Sequence, residues 1–162
     1  MDTRLEAMLD MADKEFDGES FNGPPLMVTL DSLSAEEARS EATYEGYSAW
    51  EIAVHCAFYK HIIAAALGSE VEKFPYAEKN FAPIPTPADD GAWKSARALL
   101  RRSHHAVMNA FRAASSEKLD EIWPEWDVPF REAAAWLCTH DTFHNAQIRS
   151  MGLPSLRQHK EH

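Results

Sequence analysis

The stretch HDTFHNAQI, residues 140–148, sets His140 and His144 four positions apart in a segment that otherwise reads as one face of a helix. An α-helix turns about 100° and rises about 1.5 Å per residue, so the two imidazoles lie about 6 Å apart along that face. Two imidazoles in this relation can chelate one ion at about 2.0–2.1 Å from each nitrogen. The same spacing also occurs by chance on solvated helices. Here the pair shares its face with Trp136, Leu137 and Met151. Buried neutral imidazoles need hydrogen-bond partners or a metal to offset their desolvation.

His55 lies in the apolar stripe of an earlier helix, between Ile52 and Tyr59. A core histidine on its own is commonly satisfied by a carbonyl. If the two helices face each other, His55 completes a set of three, the number that catalytic metal sites commonly use while leaving a position open for water or substrate. His104 also points inward and could be a fourth ligand, a proton shuttle or a packed core residue. Glu51, one turn before His55, is the candidate catalytic carboxylate: it could ligate, orient His55 or accept a proton from bound water. A carboxylate favoured by the helix dipole is the alternative. Gln147 could hydrogen-bond a ligand histidine or cap a polar interior. Cys56 and Cys138 fall off the histidine faces and are not counted as ligands. His61 and His105 read as solvated, and His159 and His162 as part of a polar tail.

Four long amphipathic segments must position these residues. The first spans 2–17, with Leu5, Met8, Leu9, Ala12 and Phe16 at helical spacing. The second runs over 48–67, capped by Ser48 and stopped by Gly68, with Glu51, Ile52, His55, Phe58, Tyr59, Ile62 and Ala66 inward. The third, about 90–115, is capped by Asp89 or Asp90. Its inward stripe is Trp93, Arg97, Leu100, His104, Val107 and Phe111. The fourth, about 130–151, ends at Gly152 and Pro154, with Ala133, Trp136, Leu137, His140, His144, Gln147 and Met151 inward. SAEE at 34–37 is a capping-box pattern, predicting a helical turn that closes near Gly46. LMVTLDSL at 26–33 is too short for its period to show. Residues 70–88 carry four prolines and read as a loop packed across something. No strand pattern emerges. The expectation is an all-α four-helix bundle with a long crossover loop, one domain over 1–162.

The composition is 45% hydrophobic, enough for a sizeable core, with a formal charge of −10. That balance argues against nucleic acid, which calls for a basic patch. The densest basic stretch, Arg97, Arg101 and Arg102, reads as a solvated helix face. No apolar run reaches the 18 or so residues of a membrane span. The acidic N-terminus has no signal-peptide pattern, and two cysteines imply no disulfide framework, so a cytoplasmic setting is expected.

WEIAVHCAFY followed by HDTFHNAQIRSMGLP resembles the DinB-like superfamily (the DinB/YfiT group). The shared pattern is an HxxxH helix, then a glutamine and an apolar residue, then a Gly-x-Pro stop: His140, His144, Gln147, Ile148, Gly152 and Pro154. LMVTLDSLSAEEA and GYSAWEIAVH match the usual lead-in. The resemblance covers nearly the whole chain through short motifs whose order and spacing are together specific. It implies a divalent metal, nickel or zinc foremost, at His55, His140 and His144. It also implies a small-molecule substrate with a low-molecular-weight thiol as co-substrate, and frequent homodimers. The expected function is a metal-dependent S-transferase or hydrolase. A non-catalytic metal-binding bundle and a bundle with core histidines are the alternatives. Imidazole ligands alone do not select among zinc, nickel, copper and iron.

Overall fold

Helix boundaries follow the capping chemistry. In a computed structural model, which describes residues 3–41, 43 and 45–157, the chain forms α1 (Thr3–Asp17), α2 (Leu26–Asp31), α3 (Ala35–Ala38), α4 (Ala49–Ala66), α5 (Asp90–Ala113), α6 (Ser116–Asp120) and α7 (Phe130–Ser150). A short antiparallel pair, β1 (Ile122–Trp123) and β2 (Val128–Pro129), precedes α7. Among the described residues the architecture is all-α apart from that pair. His159 and His162 lie outside the described residues.

Ser48 and Glu51 form a reciprocal capping box at the start of α4: Glu51 N–H donates to Ser48 Oγ at 3.1 Å, and Ser48 N–H donates to Glu51 Oε2 at 2.9 Å. Asp89 caps α5 through Ala92 N–H at 2.8 Å. Gly68, at φ +93°, closes α4 in a Schellman turn, with Gly68 N–H on Ala65 O and Ser69 N–H on Ala64 O. Ser34 and Glu37 make the expected capping box, but α3 is a single turn and the described residues from 39 to 46 are not helical. Within α3 the buried residues are Ala35 and Ala38. α2 was unreadable in the sequence. Its six residues bury Leu26, Met27 and Leu30 completely, yet are too few to display a period. The β1–β2 pair turns through Asp127 at φ 55°, within the WPEWDVP connector.

α4 packs along α5, and α1 along α7; the α4–α7 contact is far less extensive. The apolar interior divides into two clusters. One gathers Trp50, Trp93, Leu26, Leu30, Ile52, Leu100 and Ile148. The other gathers Leu5, Leu9, Ile63, Val107, Phe111, Phe130 and Leu137. On each long core helix the break between clusters falls at buried polar residues: Lys60 on α4, Ser103 and His104 on α5, Asp141 to Asn145 on α7. A polar belt therefore crosses the middle of the bundle; His144 belongs to it, and His55 and His140 sit beside it.

Candidate metal centre

α4 and α7 bring His55, His140 and His144 together. His55 Nε2 lies 2.9 Å from His140 Nε2, and His144 Nε2 lies 3.0 Å from the same atom. His55 and His144 are buried, at 6% and 4% exposed, and His140 is the more accessible of the three. The outer nitrogens are spoken for. His55 Nδ1 meets the Asn80 carbonyl oxygen at 2.8 Å, and His144 Nδ1 meets Gln147 Oε1 at 2.7 Å. A carbonyl only accepts, so both Nδ1 atoms carry the proton, and both Nε2 atoms present lone pairs to His140. A proton on His140 Nε2 could satisfy one of those lone pairs linearly and would leave the other facing it. One divalent cation satisfies all three. Tetrahedral Zn–N bonds of about 2.0–2.1 Å place ligand nitrogens roughly 3.3 Å apart, so the His55–His140 and His140–His144 separations need open by only a few tenths of an ångström.

Aromatic rings wall the site. Phe81 stacks on His55 with centroids 4.3 Å apart, and Tyr47 stacks on Phe81 at 3.6 Å. Trp136 stacks on His140 at 3.9 Å, and Tyr59 stands edge-on to His55 at 5.0 Å. Asn80 and Phe81 come from the proline-rich segment, which the sequence predicts to pack across something and which here lies against the histidines. Its contribution, a backbone carbonyl and one aromatic face, leaves no side-chain signature to read.

Electrostatics keep the imidazoles neutral. Burial, then the neighbouring His55, pushes His144 down to about 4. Burial, then His144, drives His140 far below the ordinary imidazole range. Burial also lowers His55, although its bond to Asn80 opposes the shift. The neutral imidazole is the ligating form, so the three rings are in the protonation state that metal binding requires.

The DinB superfamily family model matches residues 26–148, three quarters of the chain and all three histidines. The chain belongs to the DinB superfamily. No curated protein and no solved structure matched it.

Elsewhere in this DinB-superfamily chain the predicted residues part company. Gln147 takes the first of its two expected roles, accepting from His144 and passing its amide to Glu45 Oε2 at 3.2 Å. Glu51 is held by the Ser48 backbone N–H and, at 2.8 Å, by its hydroxyl. It does not belong to the cluster of ligand atoms within 4.8 Å that the three histidines form. His104 is a core residue: it stacks on Phe16 at 3.7 Å, and its Nε2 meets Asp13 Oδ1 at 2.8 Å. Cys56 is closer than helical phase suggested, with Sγ 4.0 Å from His140 Nδ1. Burial, then Asp141, pushes its thiol well above the usual range, which disfavours the thiolate a metal would need. His105 is exposed as expected, whereas His61 is half-buried against Phe74. Arg97 and Arg101 are not merely solvated: both bind Asp31, at 2.7 and 2.6 Å, fastening α5 to α2.

Two residues went unread altogether. Lys60 is buried where Phe58, Tyr59 and Ile62 were expected inward, and it pairs with Asp141, the residue after His140. Ile52 and His55 on α4, and Ala133, Leu137 and His144 on α7, are buried as expected, and Cys56, Lys60 and Ile63, with Ala134, Asp141, Asn145 and Ile148, are buried beside them. A lone lysine inside FYKHII was the available signal.

Proposed function

We propose that this chain is a divalent-metal-dependent enzyme, a transferase or hydrolase, in which the Nε2 atoms of His55, His140 and His144 hold the ion. The observation that carries this reading is the convergence of three Nε2 atoms whose Nδ1 partners fix them as lone-pair donors. Nickel and zinc both suit an all-imidazole set. When bound, such an ion supplies Lewis acidity, lowering the pKa of a water or thiol that reaches it.

The chain's own residues divide the remaining work. Asn80 and Gln147 orient two of the imidazoles and fix their tautomers. Gln147 also links His144 to the exposed carboxylate of Glu45. Two residues that could close the coordination shell are engaged elsewhere: Glu51 with Ser48 and His104 with Asp13. That supports an open position for substrate. Phe81, Tyr59, Trp126 and Trp136 are half-buried around the histidines, which supports a small substrate with an apolar body; the low-molecular-weight thiol as co-substrate rests on the family resemblance alone.

Elemental analysis of untagged protein tests the ion, and a panel of thiols with electrophilic substrates tests turnover. The expected result is a single nickel or zinc ion per chain, lost in His144→Ala, and thiol-dependent conversion of at least one electrophile. A metal-free protein indifferent to His144→Ala would contradict the metal reading. Metal retained without turnover across the panel would favour a non-catalytic binding protein.

A further inference from the structure

The most deeply buried charges of the bundle take no part in the proposed ligand set. Lys60 Nζ lies 2.7 and 2.8 Å from the two carboxylate oxygens of Asp141, and the side chains are 1% and 0% exposed. Stability does not account for them. Desolvating two such charges costs about what their attraction returns, and buried pairs replaced by apolar residues of similar volume often leave a protein equally or more stable. Here an apolar pair would also join the two halves of a core that the polar belt now separates. What the pair supplies, and methionine or leucine would not, is a single allowed alignment. Both carboxylate oxygens are engaged, so a small slide or rotation of either helix breaks a contact at a position closed to bulk solvent.

The helices so joined are the ones whose alignment the histidines need. Lys60 follows His55 on α4 by five residues, and Asp141 adjoins His140 on α7. Direct α4–α7 packing is slight compared with α4–α5 and α1–α7, so apolar contact alone fixes their register weakly. The ammonium has a second consequence. Cys56, His140 and Asp141 form another group of ligand atoms within 4.8 Å of one another. With Asp141 held by Lys60, that corner already contains its cation, and His140 is left to offer Nε2 to the imidazole side.

Resting on the reading that the three histidines hold an ion, we propose that Lys60 and Asp141 are positioning residues that pin α4 to α7 in the one register at which the three Nε2 atoms converge. The test uses the full chain with Co2+ as probe, comparing wild type with the double variant K60M/D141L. Wild type should bind Co2+ with the visible absorption of a low-coordinate site. The double variant should fold, melt without metal at or above the wild-type temperature, bind Co2+ roughly 10–100-fold more weakly, and show altered visible bands. Equal affinity and unchanged bands in a folded double variant would overturn the pin while leaving the metal reading intact. Failure of wild type to bind Co2+ would overturn the metal reading itself. Should the double variant not fold, K60R carries the test, since it keeps the charges but lengthens the arm. Weakened Co2+ binding in folded K60R supports the pin, and unchanged binding overturns it.

Discussion

His55 and His140 stand 85 residues apart in the chain, and their Nε2 atoms stand 2.9 Å apart in the fold. Nothing local produces that meeting. The capping box at Ser48 sets where α4 begins, the Pro129–Phe130 junction starts α7, and packing of both helices into the bundle closes the gap. His144 adds a third nitrogen from one turn along.

Removing an outer partner should weaken the centre without unfolding it. Gln147→Leu deletes the acceptor on His144 Nδ1 at a half-exposed position. Metal affinity should fall about 10–100-fold, the range for such outer contacts, with little change in melting temperature. Calorimetric titration with zinc would read it, and an unchanged affinity would show that His144 needs no orienting partner.

Glu51 separates a capping role from a catalytic one. Ser48→Ala should cost about 0.5–2 kcal/mol of stability, as cap removal generally does. Glu51→Gln can still complete the box, so stability and metal affinity should both hold. A loss of turnover in Glu51→Gln at full metal occupancy would return the residue to the reaction, through a path its bond to Ser48 does not suggest.

Acid should act through the histidines in a defined direction. His144 in the fold sits near 4, below the ordinary 6.5, and His55 and His140 are lowered as well. A depressed imidazole is neutral in the fold while the unfolded chain takes up the proton first. Its stabilising contribution is therefore complete above 6.5 and is lost as the pH falls toward about 4. Denaturant titrations of metal-free protein should show stability declining across that window. Zinc binding should persist below pH 6, with proton competition becoming severe only near the lower end. Stability flat across the window would contradict the burial assigned to these rings.

His104 provides the control. It is 1% exposed and stacked on Phe16, and its Nε2 faces Asp13 rather than the other histidines. His104→Phe should leave metal stoichiometry unchanged, whatever it does to stability. Loss of the ion in a folded variant would make it a ligand after all.

Much of this was legible in the residues. The four long helices, their caps at Ser48 and Asp89, and the glycine stops at 68 and 152 were all written in local chemistry. The HxxxH spacing placed two histidines on one face, and His55 inside an apolar stripe indicated the third. What stayed hidden depends on contacts between elements. Asn80 contributes only its carbonyl, which every residue type shares. Lys60 and Asp141 look like surface charges until each is seen to be the other's partner. Helical phase placed Ile52 and His55 inward correctly but missed Lys60, because α4 is buried on nearly every side of its first half and so shows no single apolar stripe.

The central claim is that three imidazoles from two helices share one ion, and X-ray absorption on zinc- or nickel-loaded protein tests it most directly. The account predicts three imidazole nitrogens at about 2.0–2.1 Å in the first shell of the zinc-loaded form, with one of them lost in His55→Ala. A shell dominated by oxygen or sulfur, or one indifferent to His55→Ala, would contradict it.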